Sequence, residues 1–274
     1  MNELHVPGKS LKSFVLTQEF KRFEEFARSC MDFRYIGICH GDPGVGKSLA
    51  AAHYAKWKEE FMHENAVDDL SLENKQLVKS CKGILLTTPV TNTPKLIKLE
   101  ITRRTFGYGL SLAKANGETD ICKRAVDANK LCPLIIIDEA DRLNIGALEE
   151  VRNLYDQYQF GLILIGMPGI EKRFSRYPQL YSRIGFSYEF KRLSKDEMQF
   201  IFPRIWKNLG LTYNPDYFSD VEALNTIVRI TAGNFRLIDR LFSQITRIIK
   251  INKLQVINKE VVEAARKCLI IGEH

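Results

Sequence analysis

The sequence contains no long apolar run, no closely spaced cysteine pair and no low-complexity segment. No window reaches the roughly 18 consecutive apolar residues of a membrane span, and the opening MNELHVPGKS lacks the apolar stretch of a signal peptide. The six cysteines form no C-x-x-C pair, and no histidine stands near them at zinc-finger spacing. We therefore expect a soluble cytoplasmic protein with reduced thiols and no contact with a membrane.

The charge balance is mildly basic, with 40 Lys and Arg against 33 Asp and Glu. Such a balance permits nucleic-acid binding but is equally typical of an ordinary solvated surface. With 274 residues, the chain is long enough to bury a full core without disulfides. The positions of the basic residues, rather than their number, must carry any argument for a nucleic-acid partner.

The segment GDPGVGKS, from Gly41 to Ser48, fits the phosphate-loop pattern G-x-x-x-x-G-K-[ST]. Gly44 and Gly46 tolerate positive φ, so backbone N–H groups can converge on a phosphate, and the following helix adds its positive dipole end. An apolar strand is predicted before the loop and a helix after it, as this motif requires. The predicted nucleotide-binding residues of the loop are Gly41, Asp42, Pro43, Gly44, Val45, Gly46, Lys47, Ser48 and Leu49.

A second motif, Asp138-Glu139, directly follows the apolar run at 134–137. In such a site Lys47 contacts the β- and γ-phosphates, while Ser48 and Asp138 bind Mg²⁺. Glu139 can then polarise the attacking water. A carboxylate pair after a strand can also be a simple helix-capping turn, but the upstream phosphate loop favours the catalytic interpretation. The expected cofactors are ATP and Mg²⁺.

Apolar strands alternate with helices up to about Arg192, which predicts an α/β fold with a doubly wound parallel sheet. The predicted strands are 35–39, 83–88, 134–137, 162–165 and 185–190. One helix is predicted to begin at Thr17, before the first strand. The helices predicted between the strands cover 49–62, 94–106, 118–130 and 145–158, and Gly107 and Gly109 are expected to end the second of these. Beyond Arg192 we predict a small all-helical unit with helices at 194–209, 220–231, 234–251 and 259–270.

Two arginines could supply positive charge to the phosphoryl group during transfer. Arg183, in QLYSRIGF, stands where a ring-forming ATPase would present a catalytic arginine to the neighbouring subunit, and Arg173 and Arg176 are weaker candidates. Arg236, in TAGNFRLIDR, begins a helix from which it could reach the γ-phosphate. The alternatives are a surface ion pair for Arg183 and, for Arg236, a solvated basic stripe that continues to Lys250.

In this order and at these distances, GDPGVGKS, IIIDEADRL, QLYSRIGF and TAGNFRLIDRLF resemble the AAA+ ATPases of transposons, the TnsC/TniB family, with MuB as a more distant relative. The resemblance implies an AAA+ domain at 34–192 and a helical lid at 193–274, after an N-terminal arm and helix at 1–33. It assigns Arg183 as the arginine finger and Arg236 as the second sensor. By the same resemblance, Lys47 binds phosphate and Ser48 binds Mg²⁺. Asp138 contacts the metal, and Glu139 contacts the attacking water.

The same resemblance implies a transposition adaptor. With ATP bound, such a protein forms a homo-oligomer, a hexameric ring or a helical filament, on double-stranded DNA with little sequence preference, and it recruits a transposase and targeting proteins. One departure is Gly166-Met167, where many AAA+ proteins have Asn, Ser or Thr, so hydrolysis is expected to be slow or assisted from elsewhere. The alternatives are an initiator, helicase-loader or secretion-type ATPase and an ATP-switched scaffold. The letters DEAD at 138–141 also suggest a DEAD-type helicase, but such a helicase needs two similar domains and this chain has room for one.

Basic residues between the second strand and Asp138 are the predicted DNA contacts. The span 93–130 holds eight basic and four acidic residues. Lys95 and Lys98 share a helix face, with Arg103 and Arg104 at the predicted end of that helix. Such side chains bind phosphates and read no bases, so binding should tolerate sequence and weaken with salt. The alternative is a solvated helix face.

Overall fold

The computed structural model describes residues 14–56, 58, 72–118, 120 and 130–269. Most of the helix predicted at 118–130 and the end of the one predicted at 49–62 lie outside these residues. The chain divides into two compact units. The sheet unit spans 20–42 and 47–190, and the helical unit comprises 14–19, 43–46 and 191–269. No described helix is long and apolar enough to cross a membrane.

The sheet unit is built on five parallel strands, so the predicted fold class is confirmed. Their order is β2-β3-β4-β1-β5. β3 and β4 are buried along their whole length, as uninterrupted apolar runs predict. Because the strands are parallel, their carboxyl ends meet at one edge of the sheet. The strands are β1 Ile36–His40, β2 Ile84–Thr87, β3 Leu134–Asp138, β4 Gly161–Gly166 and β5 Ile184–Glu189.

Helices flank this sheet, and α1 packs on it through aromatic residues. Phe23 of α1 lies 6.0 Å from Phe190 between ring centroids, and Phe26 stacks on Tyr188 at 5.3 Å. The described helices up to residue 190, which include the 3₁₀ helix η1, are α1 Gln18–Phe33, α2 Lys47–Ala55, α3 Leu72–Ser80, α4 Pro94–Ala115, η1 Ala140–Arg142, α5 Ile145–Tyr158, α6 Ile170–Phe174 and α7 Pro178–Tyr181.

The predicted end of α4 at Phe106 is wrong. The helix continues through Gly107 and Gly109 for about two further turns, although each interior glycine costs about 1 kcal/mol relative to alanine. Burial offsets this cost, because the extension carries Tyr108 into the core, where its hydroxyl donates to the Cys81 carbonyl at 3.0 Å. Packing therefore overrides local helix propensity here.

The described residues at 191–269 form four helices around an apolar core that includes Phe202, Trp206 and Phe242. Ser194 and Glu197 form the predicted capping box at the start of the first helix. Phe242 lies 5.7 Å from Trp206 between ring centroids. No strand occurs among the described residues of this unit. The helices are α8 Lys195–Asn208, α9 Phe218–Thr231, α10 Phe235–Asn252 and α11 Lys259–Lys267.

The start of the chain also belongs to the helical unit. Val15 packs against its core. The Gln18 N–H donates to Glu197 Oε1 at 3.1 Å, and the Lys191 N–H donates to the buried Glu19 carboxylate at 2.8 Å. Residues 14–19 therefore contact the C-terminal part of the chain, although Gln18 and Glu19 are also the first residues of α1.

Candidate functional site

The loop between β1 and α2 has the backbone conformation that the phosphate-loop pattern predicts. Gly44 and Gly46 have φ values of 82° and 113°, in the region that favours glycine. Gly41 is required for a different reason, since a Cβ there would collide with the Phe190 carbonyl after β5. The glycines therefore allow the turn of the loop at Gly44 and Gly46 and the close approach of Gly41 to Phe190.

Lys47 lies inside this loop. Its Nζ donates to the carbonyls of Gly41 and Asp42 at 2.6 and 2.9 Å. Burial lowers the pKa of Lys47, and the carboxylates of Asp138, Asp141 and Asp42 oppose that effect. The ammonium group is thus surrounded by oxygens that phosphate oxygens could replace.

Asp138 ends β3 at the same edge of the sheet. Its side chain is buried, and its Oδ1 accepts a hydrogen bond from the Glu139 N–H at 2.8 Å. The N–H and hydroxyl of Thr88 both donate to the Asp138 carbonyl at 2.9 Å, which fixes the end of the strand.

Glu139 adopts a left-handed conformation, with φ 54° and ψ 38°. This conformation costs a non-glycine residue on the order of 1–3 kcal/mol and is concentrated at functional sites. The Glu139 carboxylate pairs with the Arg142 guanidinium, and both side chains are exposed. The predicted catalytic glutamate is therefore near the site but engaged with a neighbour.

Asp141 was not among the predicted site residues, yet it lies at the end of β4. Its Oδ1 accepts a hydrogen bond from the Met167 N–H at 2.7 Å, and a Cβ on Gly166 would collide with it. The Arg173 guanidinium donates to the carbonyls of Asp141 and Leu143. Arg173, a weaker finger candidate, is thus engaged within its own chain. The only sequence signal for Asp141 was its position three residues after Asp138.

Arg183 lies at the amino ends of the parallel strands, whereas the phosphate loop and Asp138 lie at their carboxyl ends. Its carbonyl accepts a hydrogen bond from the N–H of Ile36, the first residue of β1, at 3.4 Å. The phosphate loop follows the other end of β1, which has five residues and therefore spans about 16 Å. Arg183 is paired with Asp156 of α5 through Nε and a second nitrogen, at 2.6 and 2.9 Å.

The Arg183–Asp156 ion pair is about one-third exposed on both sides. Such exposed pairs contribute only about 0–1 kcal/mol, so a competing phosphate could release the arginine at little cost.

The tip of the phosphate loop is bonded to the start of α10. Asn234 caps α10, accepting hydrogen bonds from the N–H groups of Arg236 and Leu237 at 3.1 and 3.2 Å. Its Nδ2 donates to the Pro43 carbonyl, and the Arg236 N–H donates to the Gly44 carbonyl, each at 2.9 Å.

Gly44 permits this approach, because a Cβ there would lie 2.7 Å from Asn234 Oδ1. Arg236, the predicted second sensor, has an exposed side chain. Sequence reasoning missed the contact of Asn234 with the loop, although the residue follows Ala-Gly and opens a helix, as an N-cap does.

The predicted DNA-binding residues all lie on α4 but do not share one environment. Lys95, Lys98 and Arg103 are exposed, and Lys98 Nζ lies 3.3 Å from a carboxylate of α5. Arg103 and Arg104 lie inside the helix rather than at its end. Arg104 is buried, with its Nε 3.4 Å from Glu100, so three of the four predicted cations remain accessible.

The site residues fit a nucleotide with a divalent cation. The positive-φ glycines and the buried Lys47 ammonium suit a polyphosphate. Ser48, exposed in the first turn of α2, and Asp138 offer oxygen ligands, and Mg²⁺ typically takes one or two carboxylates together with phosphate oxygens. The described residues contain no cluster of three or more His, Cys, Asp or Glu that could hold a metal by themselves.

Comparison with known sequences gives one family and two informative relatives. A family model described as "AAA domain" matches residues 31–174. A "Potential ATP-binding protein" of Staphylococcus aureus is 44% identical over 269 residues, which cover 95% of this chain and 98% of that protein. The "ATP-dependent target DNA activator B" of Escherichia phage Mu is 25% identical over 196 residues, covering 69% of this chain and 54% of the activator. The chain thus spans about half of that relative.

Comparison with solved structures supports the fold. The RuvB Holliday junction branch migration motor of Thermotoga maritima superposes with a TM-score of 0.59 at 18% sequence identity. The match covers 95% of this chain and 72% of the RuvB chain.

Proposed function

Because the chain belongs to the AAA domain family, we propose that it binds and hydrolyses ATP with Mg²⁺ and assembles on double-stranded DNA when ATP is bound. The observation that carries this proposal is the convergence of the phosphate loop, Lys47, Asp138 and Glu139 at one edge of a parallel sheet. The name of the Staphylococcus aureus relative supports ATP binding, and the name of the phage Mu relative supports an ATP-dependent action on DNA.

Each residue of the site has a defined task in this proposal. Lys47 exchanges its loop carbonyls for β- and γ-phosphate oxygens, and Ser48 and Asp138 hold the cation. When bound, Mg²⁺ neutralises negative charge on those phosphate oxygens. Glu139 leaves Arg142 and polarises the attacking water. Arg236 reaches towards the γ-phosphate from the start of α10.

Arg183 acts on the nucleotide of a neighbouring subunit. It follows α7 at the amino edge of the sheet, whereas its own phosphate loop lies at the carboxyl edge. An arginine supplied by a neighbour accelerates phosphoryl transfer by about 10³–10⁵. The active site is therefore completed by assembly into a homo-oligomer, either a hexameric ring or a helical filament.

We further propose that the assembly is a transposition adaptor that recruits a transposase and targeting proteins to target DNA. The similarity to the phage Mu activator supports this role. The exposed cations of α4, Lys95, Lys98 and Arg103, would contact DNA phosphates without reading bases. A second candidate is an ATP-switched scaffold with little hydrolysis, which the nonpolar Met167 and the engagement of Glu139 with Arg142 favour.

Electron microscopy of the full chain with duplex DNA and a slowly hydrolysed ATP analogue tests the proposal. We expect rings or filaments threaded by DNA for the native protein and none for Lys47→Ala, which lacks the phosphate-binding ammonium. Particles without DNA, or assemblies that form equally well without nucleotide, would contradict it. ADP release, measured on the same protein and DNA with ATP in place of the analogue, separates the hydrolysing adaptor from the scaffold.

A further inference from the structure

The carboxyl end of β4 lies between the phosphate loop and the Asp138 carboxylate. β4 is hydrogen-bonded to β1 on one side and to β3 on the other, and the register pairs His40 of β1 with Gly166 of β4. A polar group at this point could therefore contact a water placed between a bound γ-phosphate and Asp138. The next residue is Met167, whose thioether is only a weak acceptor of hydrogen bonds.

Asp141 brings a carboxylate to this point from η1. Its Oδ1 is 2.7 Å from the Met167 nitrogen, and Gly166 leaves the space that the carboxylate occupies. Burial lowers the pKa of Lys47, and Asp141 is one of the carboxylates that oppose this shift, so its charge is felt at the phosphate-binding ammonium. The carboxylate thus lies at the end of the strand and within electrostatic reach of the loop.

The backbone that carries Asp141 is held from two sides. The Arg173 guanidinium donates to the Asp141 and Leu143 carbonyls, and Asn92 Nδ2 donates to the Arg142 carbonyl at 3.0 Å. Within the part of the chain that the structure describes, no donor engages the second carboxylate oxygen of Asp141. That oxygen remains available to accept a hydrogen from water, while the first is anchored to the β4 backbone.

We infer that Asp141 orients the attacking water, in place of the polar side chain that Met167 does not supply. This inference rests on the proposed ATP hydrolysis. The free carboxylate oxygen of Asp141 accepts one hydrogen of the water, and Glu139 takes up the other as a proton. The water oxygen bonds to the γ-phosphorus, and the bond from that phosphorus to the bridging oxygen breaks, which yields ADP and inorganic phosphate.

The test is Asp141→Asn in the full chain. The amide keeps the size of the side chain and can still accept from Met167, but it loses the charge and presents NH₂ to the water. We expect kcat for ATP to fall about tenfold or more, within the usual range for acid–base groups. The thermal unfolding midpoint should stay unchanged, and the Kd for a fluorescent ATP analogue should not rise, because the variant removes a negative charge near the phosphate loop and no phosphate contact. A purely structural Asp141 would instead leave kcat intact in this variant.

Two further variants separate positioning from packing. Asp141→Ala removes the Met167 hydrogen bond, so amide hydrogen exchange at Met167 should accelerate in this variant and not in Asp141→Asn. Adding Met167→Asn to Asp141→Asn should restore part of the lost kcat, because it returns a polar side chain to the end of β4. A double variant no faster than Asp141→Asn would overturn the inference.

The outcomes also distinguish this inference from the proposed function. If the native protein releases no ADP, the proposed hydrolysis fails and the role of Asp141 fails with it. If the native protein and Asp141→Asn hydrolyse ATP equally fast, the role of Asp141 alone is wrong.

Discussion

Asn234 donates a hydrogen bond from its Nδ2 to the carbonyl of Pro43 at 2.9 Å, across 191 positions of sequence. The same side chain caps α10 through its Oδ1. One residue therefore both stabilises the first turn of a helix and holds the tip of the phosphate loop. These two tasks can be separated by substitution, since serine is as good an N-cap as asparagine but has no amide to reach the loop.

Asn234→Ser should weaken nucleotide binding without unfolding α10. Losing one hydrogen bond of about 0.5–1.5 kcal/mol predicts a Kd for ATP roughly two- to twelvefold higher. Nucleotide titration measures this effect, and thermal unfolding should show little change. Asn234→Ala serves as the comparison, because it also removes the cap and should destabilise the protein by about a further 1 kcal/mol. Identical nucleotide affinity in all three proteins would contradict a role for the Pro43 contact.

Glu139→Gln should preserve ATP binding and arrest the protein on DNA. The amide cannot accept a proton from water, whereas the phosphate loop and Asp138 are unchanged. We expect an unaltered Kd for ATP, turnover reduced by about 10²-fold or more, and slower dissociation from duplex DNA after ATP addition. Filter binding or fluorescence anisotropy follows the dissociation. Loss of nucleotide binding in this variant would remove the catalytic role assigned to Glu139.

Arg183→Ala should lower ATP turnover while leaving nucleotide affinity largely intact, because the arginine serves a neighbouring site. Mixing it with Glu139→Gln, which binds ATP but hardly hydrolyses it, should restore some turnover, since the intact Arg183 of one subunit then faces an intact Glu139 site of another. Arg176→Ala is the comparison, because Arg176, a weaker candidate for the same role, is an exposed arginine in the same connection. A loss of turnover in Arg176→Ala instead would assign the catalytic arginine to Arg176. Unchanged turnover in Arg183→Ala would show that Arg183 has no catalytic role and only forms the ion pair with Asp156.

Charge reversal of Lys95, Lys98 and Arg103 to glutamate should weaken duplex binding and flatten its salt dependence. The log–log slope should fall by about 0.9 for each phosphate contact that is lost. A control with the same change of net charge reverses Lys207, Lys253 and Lys267, which are exposed outside α4. If both triple variants have the native slope, the DNA contact lies elsewhere; if only the control changes, it lies on the helical unit.

Local patterns were sufficient for most of the architecture. Uninterrupted apolar runs identified the buried strands, and the prediction of α5 at 145–158 matches its observed bounds, Ile145–Tyr158. The capping box at Ser194 was likewise visible, because both of its partners lie within one turn. The predicted end of α4 failed, since glycine propensity is local and the burial of Tyr108 is not.

The candidate site was predictable only where a motif fixes a residue's task. Lys47, Ser48, Asp138 and Glu139 follow from short patterns with known chemistry. Asn234 and Asp141 were missed because their partners, Pro43 and Met167, are distant in sequence and are contacted through backbone atoms, which leave no residue signature. The burial of Arg104 was missed for a related reason. A basic residue in a helix is usually exposed, and its identity alone does not indicate that its side of the helix faces the core.

The helical unit is assembled from three separate stretches of chain, 14–19, 43–46 and 191–269, and this has a consequence for synthesis on the ribosome. Every residue of the sheet unit has been translated by Phe190, so that unit can fold while the rest of the chain is still being made. The hydrogen bond from Asn234 to Pro43 at the tip of the phosphate loop can form only after Asn234 has been translated. A nascent chain can thus hold a finished sheet well before it holds a finished nucleotide site, which delays ATP-dependent assembly until Asn234 has been translated.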